Sequence, residues 1–136
     1  MAYNLITVYP DISVGVLEFD EQHEMILSYI DIITESIAKN YSDIFIQDLL
    51  DALKLHMAKH FLAEEEYFIK FNYPGAREHT IIHADFLKRL IAVIDSYKAT
   101  GVFNETDKKI VFNWLVVHIK GVDRMYTDFF HSKGIY

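Results

Sequence analysis

Apolar residues recur three and four apart along most of the chain, the spacing that lines one face of an α-helix. One stripe, in a helix predicted over 20–39 with Asp20 as its cap, holds His23, Ile26, Leu27, Ile30, Ile33 and Ile37. A second, in a helix over 42–71, holds Leu49, Leu53, His56, His60, Glu64, Phe68 and Phe71. The third, over 76–100, carries His79, Ile82, His83, Phe86, Leu90, Val93 and Tyr97. The fourth, over 105–131, carries Ile110, Val111, Trp114, Val117, His118, Val122, Met125 and Phe129. Turn chemistry separates them: Asn72-Tyr73-Pro74-Gly75 stops the second helix, and Gly101 closes the third. Short connections between four amphipathic helices predict an all-α, up-down-up-down four-helix bundle. Residues 1–19, where Pro10, Asp11, Ser13 and Gly15 interrupt single apolar positions, are predicted to form an extended N-terminal arm.

Length and composition keep that picture and narrow it. The 136 residues suit one domain, 1–136, and the hydrophobic share of 51%, with ten Phe and nine Tyr, predicts a bulky aromatic core. A net charge of -7 argues against nucleic acid or an anionic membrane as partner. The chain shows neither a signal peptide nor an apolar run long enough to span a membrane, so the expected location is cytoplasmic. The expected state is a monomer, with Tyr41, Phe45 and Tyr136 as exposed aromatics available to an interface and a partner protein possible. There is no cysteine, which leaves histidine and carboxylate as the strong metal ligands.

Polar residues on the apolar stripes carry the chemistry. His60 and Glu64 are four apart, as are His79 and His83, so each pair projects from one helix face. A carboxylate turned toward a core costs several kcal/mol unless something compensates it, and a cation is the simplest compensation. His23, His60, His79, His83 and His118, with Glu64 and Asp123, stand at comparable depth on all four predicted helices. Five imidazoles, two bridging carboxylates and one solvent-derived bridge fill all but one of the positions around two six-coordinate ions. One ion then holds three histidines and is saturated; the other holds two and accepts a small ligand. Each pair alone is weak evidence, but amphipathicity places apolar residues inside and does not produce seven such donors together.

In order and spacing, Phe19-Asp20-Glu21-Gln22-His23, His60-Phe61 with Glu64-Glu65, His79 and His83 after Tyr73-Pro74, and Trp114-Leu115 with His118-Ile119 and Asp123 resemble the hemerythrin signature over residues 8 to 130. The resemblance implies two Fe ions, an oxo- or hydroxo-bridged di-iron centre, that bind O2 reversibly. His79, His83 and His118 would hold the saturated iron, His23 and His60 the open one, with Glu64 and Asp123 bridging. Leu115 resembles the family's pocket-lining leucine, and Ile26, Leu27 and Phe61 complete an apolar O2 pocket that disfavours proton delivery. No catalytic residue is implied, and the protein is expected to carry, store or buffer O2 rather than act as an enzyme. Two other readings compete: an O2 or redox sensor working through a separate partner, and a di-iron enzyme acting on peroxide, nitric oxide or Fe(II).

Three features depart from the family pattern. Val8-Tyr9 stands where a tryptophan is common, and His56 where bacterial relatives usually have tyrosine. His56 is read as packed beside the site, touching a metal-binding residue more readily than binding metal itself. His118 and Asp123 are five apart, about 140° around an ideal helix. Either the backbone widens locally, with Gly121 as a tolerant position, or the Asp side chain reaches sideways. Glu65 and Glu66 are read as a solvated face, His131 as surface, and Tyr67, Tyr126, Phe129 and Phe130 as packing.

Overall fold

The structure is a computed structural model that describes residues 12–136. Most of the predicted arm, including Val8-Tyr9, lies outside the described residues. Four helical rods make an all-α bundle, and no strand occurs among the described residues. The rods are α1 (Leu17–Ala38), α2 (Asp43–Phe71), α3 (Ala76–Thr100) and a composite fourth rod. The last comprises α4 (Glu105–Lys108), a π-helical segment (Lys109–Asn113), α5 (Trp114–Gly121), a 3-10 turn (Asp123–Tyr126) and α6 (Thr127–Ser132). Contacts between neighbouring rods run in opposite senses. Glu18 meets Tyr67 while Tyr29 stacks on His56, and Asp51 pairs with Lys98 while Glu65 meets His83. Successive helices are therefore antiparallel. No described helix is long and apolar enough to cross a membrane.

Local chemistry sets most ends. Ser42 caps α2 by accepting from the Phe45 amide at 3.2 Å, and Asn72, at φ 54°, turns the chain out of it. Gly101 ends α3 at φ 69°, a left-handed conformation that costs glycine little. Asn104 and Asp107 form a reciprocal capping box at the fourth rod. The start of α1 differs from the expectation: its cap is Val16, and Asp20 lies in the first turn. There the Asp20 carboxylate reaches back to accept from the Val14 amide at 2.8 Å and the Ser13 hydroxyl at 2.6 Å. This ties residues 12–16 down as a strap. Thr127 donates to the Val14 carbonyl, Arg124 to that of Ser13, and His131 Nε2 lies 2.7 Å from that of Gly15. His131 is thus a strap contact rather than plain surface.

The fourth rod also corrects the expected inner stripe. Val117 and Met125 are 69% and 72% exposed, whereas Val111, Leu115, His118, Ile119, Asp123, Tyr126 and Phe130 are buried. A uniform 100° per residue fails because a wider π segment and a tighter 3-10 turn each shift the phase. In α2 the buried stripe includes Ile46, Leu50 and Met57, while Leu49, His56 and Phe71 are only partly covered. Along the bundle the core divides in two. Ile30, Ile33, Leu50, Leu53, Phe86, Leu90 and Val111 fill one end, and Phe19, Phe68, Tyr126 and Phe130 pack edge and face at the other. The polar side chains sit between.

Candidate metal centre

All seven predicted donors are buried and converge on that layer. Atoms of His79, His83, His118 and Asp123 lie within 4.8 Å of one another, and so do atoms of His23, His60, Glu64 and Asp123. Asp123 belongs to both groups. Its Oδ1 is 2.8 Å from His79 Nε2 and 2.9 Å from His118 Nε2, and its Oδ2 is 3.2 Å from His23 Nε2. Glu64 joins the groups through one oxygen, Oε1, which is 3.3 Å from both His60 and His83 Nε2. Its Oε2 is occupied differently, accepting the Tyr126 hydroxyl.

Around Asp123 the helix tightens rather than widens. Gly121 is not widened, and a Cβ built on it would touch nothing within 4 Å. The α-type bond from the Val122 amide to the His118 carbonyl is intact, and the helix then tightens, with the Met125 amide bonding the Val122 carbonyl. Tightening turns the following residues further per step, which brings Tyr126 under Glu64.

Several polar atoms of the layer have no hydrogen-bond partner: Glu64 Oε1, Asp123 Oδ2, His83 Nε2, His118 Nε2 and His23 Nδ1. Buried polar atoms are nearly always paired, so four inward-facing orphans among facing donors mark a place for something else. The His23 and His60 Nε2 atoms lie 2.8 Å apart, both turned inward, as nitrogens around a cation would be. Nitrogen and carboxylate donors without sulfur suit a non-haem transition metal. The residues present fit such a group.

Electrostatics agree. Burial raises the Glu64 and Asp123 carboxyls, and Asp123 raises Glu64 further, yet the facing imidazoles hold both below the usual carboxylate range. Burial opposes charge on His60, but Glu64 with the Asp123 and Glu18 charges outweighs it and the net shift is upward; at His118 burial wins and the shift is downward. Burial, then the Glu64 and Asp123 charges, pushes the Tyr126 phenol well up, so it remains a donor.

Rings and hydrogen bonds orient the imidazoles. Phe61 stacks on His83 at 3.8 Å, Trp114 on His118 at 4.4 Å, and Trp114 in turn on Phe86 at 3.7 Å. His83 Nδ1 is 3.0 Å from Glu65 Oε2, and His60 Nδ1 is 2.6 Å from Gln22 Oε1. An acceptor on Nδ1 fixes the tautomer that leaves Nε2 free to bind.

The family model for the hemerythrin HHE cation binding domain matches residues 14–129. The chain belongs to the hemerythrin family. It is 25% identical over 127 residues to the bacteriohemerythrin of Stenotrophomonas maltophilia, covering 91% of this chain and 80% of that protein. To the hemerythrin-like protein of Naegleria gruberi it is 30% identical over 113 residues, covering 83% of each. A crystal structure of wild-type hemerythrin superposes with a TM-score of 0.77 at 26% identity, over 85% of this chain and 88% of that one.

Within this hemerythrin, His56 is not among the donors brought together. It stacks on Tyr29 at 5.0 Å and lines a cavity of about 190 Å³ with Gln22, Met25, Ile26, Lys59 and His60. Leu115, Phe61, Ile26 and Leu27 are all buried. Phe61 has its closest ring contact with His83, and its centroid is 5.9 Å from that of His60.

Three contacts around the donors escaped the sequence reading. Glu65 and Gln22 sit beside predicted donors in the chain, and only their hydrogen bonds mark them. Tyr126 looked like packing because it falls in an aromatic run. Replacing Tyr126 with Phe leaves Glu64 Oε2 buried without a donor, which should cost about 1–3 kcal/mol. Urea melts of the metal-free protein check this, and an unchanged midpoint would remove the role given to the hydroxyl.

Proposed function

We propose that this hemerythrin binds O2 reversibly at a non-haem di-iron centre, as a carrier, store or buffer of O2. His79, His83 and His118 would hold one iron and His23 and His60 the other, with Glu64 and Asp123 placed to serve both. The observation that carries the reading is the uneven division of five buried imidazoles around two carboxylates that each reach both groups. Three imidazoles serve one group and two serve the other, so the second has room for a small ligand. When bound, the two ions would supply the electrons and the open coordination position that O2 requires.

The chain's own contribution is positioning and exclusion of water. Phe61 and Trp114 fix imidazole planes by stacking, and Glu65 and Gln22 fix tautomers. Asp123 spans both groups. Apolar Ile26, Leu27, Phe61 and Leu115 offer no acidic proton, and a dry wall keeps O2 from leaving as a reduced product. The Tyr126 hydroxyl is engaged with Glu64 and has a raised pKa, so it is a poor proton source.

The reading is tested by iron content per chain, then optical spectra of one sample after anaerobic reduction, after O2, and after purging with argon. Two irons and a band that appears with O2 and disappears on purging are expected. Two irons that oxidise once without return would overturn reversible binding. Shortening Leu115 to Ala should cost about 2–5 kcal/mol through the cavity it leaves, and should speed autoxidation by admitting water. Repeated O2–argon cycles measure the second effect, and equal loss per cycle in both proteins would refute the dry-wall argument.

A further inference from the structure

Helix α2 carries a second apolar stripe on the side facing away from the core. Leu55, Leu62 and Ile69 are 52%, 58% and 77% exposed. Spaced seven apart, they fall within about 20° of Leu62 around the helix, opposite the buried Leu53, His60 and Glu64. Polar residues are expected at such outward positions, and a sustained heptad of large aliphatics there signals a helix partner. Ala58, also exposed, interrupts the stripe with a small residue.

The pattern is symmetric about Leu62. Leu55 precedes it by seven residues and Ile69 follows by seven; Lys59 precedes it by three and Glu66 follows by four. Lys59 and Glu66 lie on the same flank of the stripe, about 60° and 40° from Leu62. Both are exposed, and among the described residues neither has an ion-pair partner. A face that reads the same from both ends, apart from a change of charge sign, complements a copy of itself turned end for end.

We propose that the outer face of α2 docks a second copy of this chain, antiparallel about a two-fold axis at Leu62. Leu62 then meets the partner's Leu62, and Leu55 and Ile69 meet the partner's Ile69 and Leu55. Lys59 faces the partner's Glu66, and symmetry repeats the pair, as an isologous interface requires. Ala58 lets the two backbones approach. One helix pair with its flanks lies toward the small end of specific interfaces, so the dimer is concentration-dependent. Lys59 also lines the cavity beside His60, which places the partner at the rim of that cavity.

Sedimentation equilibrium of the iron-loaded full chain, from micromolar to several hundred micromolar, tests the proposal. The mass should rise from 15.9 kDa toward twice that value. Glu66→Lys sets Lys against Lys59 at both symmetric positions and should weaken association by about tenfold or more. Leu62→Glu should do the same by placing two carboxylates on the axis. The double variant Lys59→Glu with Glu66→Lys restores opposite charges and should recover dimerisation. Helicity and melting temperature of each variant show that the monomer is intact. A constant mass of 15.9 kDa, single variants that dimerise like the parent, or a double variant that stays monomeric would each overturn the proposal.

Discussion

Replacing Asp123 with Ala is expected to empty both halves of the metal centre at once. This one carboxylate reaches His79 and His118 through Oδ1 and His23 through Oδ2, so among the described residues no other carboxylate contacts three of the five imidazoles. Losing any single histidine removes one donor from one group. Losing Asp123 removes a donor from both and takes away a negative charge that would offset the proposed cations. Iron should fall from about two per chain to well below one, whereas His118→Ala should retain roughly half. Without metal the same change leaves three buried imidazoles facing a void, and the melting transition should reveal a cost of about 3 kcal/mol. Metal analysis on protein reconstituted with excess Fe(II) decides the matter. An Asp123→Ala protein that keeps both irons would show that the two groups are independent and that the shared carboxylate is incidental.

Much of this was legible because the donors break a rule. On α2 and α3 the helical period is regular, and a histidine or carboxylate on an apolar stripe stands out: His60 with Glu64, His79 with His83. His23 is likewise marked by Ile26, Leu27 and Ile30 on the following turns of α1. The fourth rod was less readable. Its inner face drifts because π and 3-10 turns alter the rotation per residue, so Val117 and Met125 were assigned to the core that Ile119 and Tyr126 occupy. The π segment lies just before Trp114 and the 3-10 turn begins at Asp123, and single-residue propensities record neither. The hydrogen bonds of Gln22 and Glu65 were invisible for a different reason. Each is a neighbour of a predicted donor in sequence, but the ring it serves, His60 or His83, lies on another helix.

Removing the metal should expose how much of the bundle's stability depends on it, with a pH dependence whose sign follows from the site. Glu64 and Asp123 have carboxyls held below the ordinary range, so their contribution is present above the normal carboxylate value and lost as pH falls through the lowered one. His60 is raised, so its contribution is present below the normal imidazole value and fades as pH rises through the raised one; lowered His118 favours folding at the higher pH. In the metal-free protein these trends oppose one another near neutrality, and the melting temperature should change little from about pH 6 to 8. The metal-loaded protein behaves differently, since every ligating imidazole must be neutral. Acid therefore competes with the metal for the ligating nitrogens, and affinity falls as pH drops. A metal present at a thousand times its dissociation constant stabilises by about 4 kcal/mol, which for a chain of this size raises the melting temperature by roughly 10–20 °C. That gap between loaded and chelated protein should be full at pH 7.5 and close steeply toward pH 5. Paired melting scans across this range give the answer, and a gap independent of pH would mean that the imidazoles are not what holds the metal.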